Sequence, residues 1–253
     1  IMNIIRPDEG QINLFGQPFT EASKNTVGYL PEERGLYQKM KILDVLQFLG
    51  EMKGLNGSQA KERSLNWLER FGMSDRVERK VEELSKGLQQ NIQFISTVLH
   101  KPKLLIVDEP FSGLDPVNSQ FLKDTLLQLR KEGTTIILST HLMDQAERLC
   151  DNICLINGGK IVVAGDLAAI KRNHSSNSVV LEFSGDGAFI SGLPYVSGID
   201  NYGNYMEVHL NNDAHPKDLF KELAQSALEM RRFEATETSL NEIFINLVGG
   251  PRK

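Results

Sequence analysis

The chain has 253 residues, of which 40% are hydrophobic and 24% are charged, the composition of an ordinary soluble protein that can bury a full core. Its net charge of −5 argues against a nucleic-acid surface, although it does not exclude docking on a membrane protein. No stretch approaches the roughly 20 apolar residues of a membrane span, and no signal peptide is visible.

Short strands and amphipathic helices are predicted over the first hundred residues. The opening residues 1–5 read as the tail of a helix that ends in the turn RPDEG. The sequence pattern then predicts strands at 11–14 and 26–30 and helices at 41–50 and 59–71. Ser85 is then expected to be the N-cap of another helix, which Pro102 stops.

The most informative stretch is KLLIVDEPFSGLDP at 103–116, where four apolar residues run into Asp108 and Glu109. Such a run is typical of a strand buried on both faces in a parallel sheet. Placing two acids at the carboxyl end of a buried strand costs free energy unless the acids have a function. Ligands bind at this edge of an open α/β sheet. A second buried strand is predicted at 134–138, after a helix at 117–132. Because parallel strands end side by side, His141 is expected to lie near Glu109.

The pattern next predicts a helix at 142–149, a hairpin of strands 153–156 and 161–164, and a helix at 166–171. Beyond residue 178 it predicts a small α+β unit, with strands at 179–183, 205–210 and 228–233 and helices at 216–225 and 239–247. The apolar-free segment 173–178 is predicted to be a linker. Cys150 and Cys154 are expected to be small buried residues rather than a metal or redox pair.

Four segments of the chain resemble motifs of the ATP-binding cassette (ABC) ATPases, in the order that this family requires. They are GYLPEERGLY at 28–37 for the Q-loop, LSKGLQQ at 84–90 for the signature, 103–116 for the Walker B strand and D-loop, and STH at 139–141 for the switch-histidine loop. The resemblance covers about two thirds of the chain. It implies an α/β fold of the P-loop NTPase type, with a mainly parallel sheet and a helical signature subdomain at about 41–100.

The tail is similar, less specifically, to the small carboxyl-terminal α+β domain of ATPase subunits in bacterial sodium and drug exporters. The domains expected on this basis are an ATPase domain at 1–172, a linker at 173–178 and a small domain at 179–253.

The resemblance also implies roles for residues at the strand ends. Glu109 would polarise the water that attacks the γ-phosphate of ATP, and Asp108 would hold Mg²⁺. His141 would bond the γ-phosphate and orient that water. Glu32 stands where the family has glutamine, and as a hard oxygen ligand it can still take Mg²⁺. The alternative for Glu32 and Glu33 is a pair of solvated loop acids.

Another set of residues is implied to bind ATP across a dimer interface, at the signature and the D-loop. They are Ser85, Lys86, Gly87, Gln89 and Asp115. A helix amino terminus that opens with serine and glycine favours anion binding. The alternative for Ser85 and Asp115 is a role as plain helix N-caps, and the two roles can coexist. Lys86 and Leu88 depart from the family's usual glycine and glutamine, which puts the fine contacts to ATP in question.

The phosphate-binding loop of the family, G-x-x-x-x-G-K-[ST], is absent from the 253 residues. The opening residues resemble the material that follows this loop, so the chain is expected to start part-way into the domain. As printed, it should neither bind ATP tightly nor hydrolyse it. The other interpretation is a degenerate cassette, against which Glu109 and His141 argue.

The sequence therefore predicts an ATP- and Mg²⁺-dependent ATPase subunit of an ABC transporter that powers export. The expected partners are transmembrane permease subunits docked near Glu32–Tyr37 and a second copy or a related ATPase subunit, with no nucleic acid. The expected location is the cytoplasmic face of the cell membrane. The alternatives are a soluble ABC ATPase of DNA repair or translation and a non-catalytic regulatory cassette.

Overall fold

The computed structural model describes residues 2, 5, 7–33, 35–174, 177–211, 214–236 and 238–248. The chain divides into two compact units, 1–141 and 142–253. Parts of the predicted helix tail at 1–5 and of the predicted linker at 173–178 lie outside the described residues, and the domain boundaries at 172 and 179 stay a prediction. Within the described ranges, no helix is long and apolar enough to cross a bilayer.

The first unit combines a small antiparallel hairpin, a parallel sheet and a set of helices. Its elements are β1 (Asn13–Leu14), β2 (Gln17–Pro18), β3 (Val27–Leu30), α1 (Ile42–Met52), α2 (Gly57–Arg70), α3 (Lys86–Val98), β4 (Leu104–Asp108), α4 (Pro116–Lys131) and β5 (Thr135–Ser139). Apart from β2, each of them was predicted from the sequence to within a few residues.

Three parallel strands form the sheet in the order β3-β4-β5. The central strand β4 buries Leu105 and Val107 completely, as expected of a strand with neighbours on both sides. The prediction that 134–138 is also fully buried is wrong, because Ile137 in β5 is 43% exposed. Among the described residues β5 pairs only with β4, so it is an edge strand here.

Helices α1, α2 and α3 share one apolar core, which fixes the position of the signature segment. Ile42, Leu68 and Ile92 are fully buried members of this core, one from each helix. Ser85 caps α3 as predicted, since its hydroxyl accepts a hydrogen bond from the backbone N–H of Leu88 at 3.4 Å. Helix α2 begins two residues earlier than predicted because Asn56 caps it reciprocally with Gln59.

His100 lies under the amino-terminal end of the sheet, away from the strand ends that carry the acids. Its Nε2 lies 3.3 Å from the carbonyl oxygen of Val27, which also accepts from Lys53 Nζ at 3.1 Å. Burial, with a smaller contribution from the Lys53 charge, lowers the pKa of His100 to about 4. The imidazole is therefore neutral in the folded protein at neutral pH.

We expect His100 to make the protein less stable in mild acid. Its folded pKa of about 4 lies below the ordinary value of 6.5, so between these values only the unfolded chain binds the proton. Lowering the pH from about 6.5 to about 4 should cost roughly 2 kcal/mol of unfolding free energy through this group, allowing for its partial exposure. Urea unfolding of wild type and His100→Gln across this range measures it; equal pH dependence in the two proteins would contradict the assignment.

The second unit contains a hairpin, a four-stranded sheet and four helices within the described ranges. Its elements are α5 (Met143–Leu149), β6 (Asn152–Asn157), β7 (Lys160–Asp166), α6 (Leu167–Asn173), β8 (Ser178–Ser184), β9 (Val196–Asn201), β10 (Met206–Leu210), α7 (Pro216–Gln225), β11 (Glu229–Thr236) and α8 (Leu240–Val248). The sheet is antiparallel, in the order β11-β8-β10-β9. Leu219 and Leu223 of α7 share its core with Val179 and Leu181 of β8.

Two predictions about this unit are wrong. Strand β9 was not predicted, because Gly198 and Asp200 break its apolar pattern and the pairing register shifts opposite Leu210. Cys154 is exposed on β6 rather than buried, whereas Cys150 at the end of α5 is half-buried. In this two-stranded hairpin Ile153 and Leu155 are buried on one face of β6. Cys154 lies on the other face, which is open to solvent.

Glu147 on α5 anchors the last helix of the chain. Its carboxylate accepts a hydrogen bond from Leu240 N, at the start of α8, at 3.0 Å and from Lys171 Nζ at 2.6 Å. Burial raises the pKa of Glu147, but the Lys171 and Leu240 hydrogen bonds together outweigh it, so the net pKa is lowered. Leu240 and Ile243 of α8 pack in the apolar cluster beneath this contact.

Replacing Glu147 by alanine should loosen α8. The change leaves the Leu240 N–H and the Lys171 ammonium without this acceptor, at a cost of roughly 1–3 kcal/mol. Because the folded pKa is lowered, the contribution of this group should be present above pH 4.5 and be lost as the pH falls further. Hydrogen exchange of residues 240–248 measures it. Asp144→Ala, an exposed acid on the same helix, is the control and should leave that exchange unchanged.

Candidate nucleotide-hydrolysis site

The ends of β4 and β5 bring the predicted catalytic residues together. Asp108, the last residue of β4, is paired in register with Ser139, the last residue of β5. The ladder extends one step further, because Glu109 N donates to Ser139 O at 2.9 Å. Glu109 and the segment Thr140–His141 therefore leave the same sheet edge side by side, as the parallel-strand argument predicts.

The Glu109 carboxylate is held by three donors from the segment after β5. Oε1 accepts from the backbone N–H of His141 at 2.7 Å and lies 2.6 Å from its Nδ1, and Oε2 accepts from Thr140 Oγ1 at 3.1 Å. The Glu109 side chain is only 14% exposed, so these contacts replace most of its hydration. The sequence reasoning did not assign Thr140 a role, although it stands inside the STH motif.

Glu109 also has an unusual backbone conformation. Its φ is +45°, in the left-handed region that residues with a Cβ rarely adopt. A turn holds it there, since Ser112 N donates to Glu109 O at 3.1 Å. Outliers of this kind cluster at functional sites, where the surrounding structure enforces them. The direction of the carboxylate is thus set by the backbone as well as by its hydrogen bonds.

His141 presents its other ring nitrogen to solvent. The side chain is 79% exposed, while Nδ1 is occupied by Glu109. With Nδ1 donating to the carboxylate, Nε2 can donate to a phosphate oxygen only in the doubly protonated ring.

The predicted metal ligands sit at the ends of neighbouring strands. Asp108 closes β4, and the exposed Glu32 follows β3, which pairs with β4 at Leu30 and Val107. Within the described part of the chain, no cluster of three or more His, Cys, Asp and Glu side chains converges on a metal position. One or two carboxylates suit Mg²⁺ that arrives on nucleotide phosphates, because that ion keeps much of its water. The donor set therefore fits a nucleotide-bound Mg²⁺.

The signature residues Ser85, Lys86 and Gly87 form the start of α3, where free backbone N–H groups favour an anion. A Cβ placed on Gly87 would lie 3.6 Å from Leu114 Cδ2 and 3.9 Å from Gly113 O, which are ordinary contacts. Packing within this chain thus tolerates a Cβ at position 87.

The two remaining predicted nucleotide contacts are occupied by their own chain. Gln89 donates from Nε2 to the carbonyl oxygens of Val81 at 3.2 Å and Leu84 at 3.1 Å, so its amide braces the segment before α3. Asp115 caps α4 by accepting from Val117 N and Asn118 N, both at 3.0 Å. Hydrogen bonds from Asn118 lower the pKa of Asp115 and keep it anionic. The nucleotide roles of both residues stay predictions.

Two protein-family models match the chain in separate regions. The model described as ABC transporter matches residues 1–112, which include the Q-loop-like, signature and Walker B segments. The model described as the ATP-binding protein DrrA1-3-like C-terminal domain matches residues 165–248. The predicted resemblances of the cassette and of the tail are therefore both confirmed.

Curated relatives match over nearly the whole chain. An uncharacterized ABC transporter ATP-binding protein of Alkalihalophilus pseudofirmus is 42% identical, with 98% of this chain and 93% of the relative covered. Nod factor export ATP-binding protein I of a Rhizobium species is 28% identical, with 98% and 82% covered.

A solved structure titled as the ATP binding subunit of an ABC transporter matches with a TM-score of 0.63 and 28% identity, over 68% of this chain and 73% of that one. This likeness confirms the predicted α/β fold of the P-loop NTPase type. With its motifs, its site geometry and its relatives in agreement, the chain belongs to the family of ABC transporter ATP-binding proteins.

Proposed function

We propose that this protein is the ATP-hydrolysing subunit of an ABC exporter and that Glu109 is its catalytic base. The observation that carries the proposal is the clamp on Glu109: three donors from Thr140 and His141 fix its carboxylate at the carboxyl edge of the parallel sheet. A general base must lie within hydrogen-bond reach of the water that it activates. The clamp provides a carboxylate in a fixed orientation at the edge where ATP is expected.

In this mechanism the residues of the chain position the water and accept its proton. Glu109 takes the proton of the attacking water, and His141 bonds the γ-phosphate through the exposed Nε2. Asp108 and Glu32 would hold the Mg²⁺ of the nucleotide, which supplies charge neutralisation on the phosphates when bound. Thr140 and the backbone N–H of His141 keep the carboxylate oriented. The phosphates themselves need a cradle of the P-loop type, which the 253 residues do not contain.

A head-to-tail dimer would complete the site. Ser85 and Gly87 at the start of α3 would face the γ-phosphate held by the other subunit, as the signature does in this family. The space around Gly87 supports this assignment, because a glycine that its own chain does not require is suited to the close approach of a ligand. The dimer can be of two copies or of this chain and a related subunit.

Export through a membrane permease is the transport function that we propose. Support comes from the Rhizobium relative, which is named as a Nod factor export protein, and from the match of the tail to a DrrA-like domain. The proposed docking surface lies near Glu32–Tyr37, where Tyr37 and Phe48 form an edge-to-face aromatic pair at 5.6 Å and are 50% and 40% exposed. The protein would then sit on the cytoplasmic face of the membrane. The reported relatives give no support to a role in DNA repair or translation.

The test is ATP hydrolysis by the full-length natural protein, with and without its co-purified membrane partner. We expect Mg²⁺-dependent turnover and its loss in His141→Ala, together with a rate that changes when the permease is present. Turnover that is insensitive to His141→Ala would exclude the proposed site, and specific retention on ribosomes or DNA would exclude the exporter assignment.

A further inference from the structure

Two buried glutamines, one turn apart on α3, donate hydrogen bonds to the backbone of two loops. One loop follows β3 and the other follows β4. Gln93 Nε2 donates to Glu33 O at 3.0 Å and to Pro31 O at 3.4 Å. Gln90 Nε2 donates to Pro110 O, directly after Glu109, at 3.4 Å. Both side chains are at least nine-tenths buried, at 4% and 2% exposure. Neither residue was assigned a role from the sequence, because an amide on a helix gives no local signal of the loop that it will contact.

Gln93 is chemically suited to fixing a loop. A primary amide has two N–H donors, and here they meet the carbonyls of Pro31 and Glu33, which lie two positions apart on either side of Glu32. In this buried amide the N–H donors are paired with the two carbonyls, whereas Oε1 is buried without a hydrogen-bond partner. The side chains of Glu32 and Glu33 are exposed, so their carboxylates remain available for other contacts.

We propose that Gln93 is a positioning residue that fixes the loop 31–33, and with it Glu32, to α3, whose amino-terminal end carries Ser85 and Gly87. The connection between Gln93 and this loop, called the tether below, follows from the hydrogen bonds described above. Its meaning for catalysis rests on the proposed function, in which Glu32 binds nucleotide-bound Mg²⁺ and the loop lies against the permease.

Hydrogen exchange of the full-length protein without nucleotide tests the tether directly. Gln93→Met keeps the length of the side chain and removes both donors, and Gln93→Glu keeps length and polarity but leaves at most one proton to share between the two carbonyls. We expect amides in 30–40 to exchange about fivefold faster in both variants, with 104–109 unchanged. Unchanged exchange in 30–40 in both variants would overturn the proposal.

Thr97→Val is the matched control for general damage to α3. Thr97 lies one turn beyond Gln93, is also buried, and donates to Phe94 O within the helix itself. Its replacement should leave the exchange of 30–40 as in wild type. If Thr97→Val speeds that exchange as much as Gln93→Met, the effect belongs to the packing of the helix and the tether is excluded.

The Mg²⁺ dependence of ATP hydrolysis tests the function proposed for the tether, independently of whether the tether exists. In Gln93→Met we expect the Mg²⁺ concentration for half-maximal rate to rise about threefold, with the rate at saturating Mg²⁺ within about twofold of wild type. A variant that merely weakened the fold would lose rate at all Mg²⁺ concentrations. Faster exchange of the amides in 30–40 with an unchanged Mg²⁺ dependence would support the tether and would exclude Glu32 as a magnesium ligand.

Discussion

Glu109→Gln in the full-length protein is expected to reduce the ATP turnover number at least about 100-fold, because an amide cannot accept the proton of the attacking water. Glutamine is close in size to glutamate, and its Oε1 can still accept from the backbone N–H of His141. The fold and ATP binding should therefore persist, and ATP-held dimers should accumulate. Steady-state hydrolysis and size-exclusion chromatography with Mg²⁺ and ATP measure the two effects.

Glu62→Gln is a suitable control, since Glu62 is an exposed acid on α2 in the same unit. It should retain the wild-type rate and should not accumulate dimers. Wild-type turnover in Glu109→Gln would remove Glu109 as the base. Loss of turnover without ATP-held dimers would leave Glu109 as the base and argue against the head-to-tail arrangement.

Phe94→Ala should lower the free energy of unfolding of the first unit by about 4 kcal/mol, the usual cost of removing a fully buried phenylalanine. Phe94 has no exposed surface and its ring packs against Trp67 at 6.3 Å and Phe71 at 5.9 Å. The cavity would lie between α2 and α3, beneath the helix that carries the signature. Denaturant unfolding followed by Trp67 fluorescence measures the loss directly, because Trp67 is the single tryptophan of the chain.

Phe48→Ala provides the comparison, because Phe48 is 40% exposed on α1. It should cost less than half as much stability while removing one member of the aromatic pair with Tyr37. A loss of stability in Phe48→Ala as large as that in Phe94→Ala would mean that the core of these helices is organised differently. Impaired permease stimulation in Phe48→Ala, with stability little changed, would support the docking surface.

The elements whose signals are local could be predicted from the sequence. Ser85 before an apolar helical pattern, Pro116 at the first turn of α4 and the apolar run into Asp108 each specify an element through contacts within a few residues. The pairing of Glu109 with His141 could also be inferred, because it follows from two parallel strands that end side by side. The meeting of Glu109 and His141 at one sheet edge was therefore predictable, whereas the roles assigned to the site residues stay predictions.

Features that depend on distant contacts could not be predicted. Gln93 reaches residues about 60 positions earlier in the chain, and nothing around it in the sequence marks that contact. The exposure of Ile137 depends on which strands pair with β5, and the apolar composition of the strand does not reveal it. Strand β9 exists because β10 supplies a pairing edge, despite a glycine and an aspartate that weaken its own pattern.

The left-handed backbone of Glu109 implies a thermodynamic conflict at the centre of the site. A residue with a Cβ costs about 1–2 kcal/mol in that conformation, and glycine would relieve most of it. The backbone conformation alone would then favour glycine at position 109, whereas the contacts of the carboxylate with Thr140 and His141 favour glutamate. A duplicated copy released from the demand for turnover would relieve the backbone strain by a change to glycine, but the same mutation would leave those donors without this acceptor.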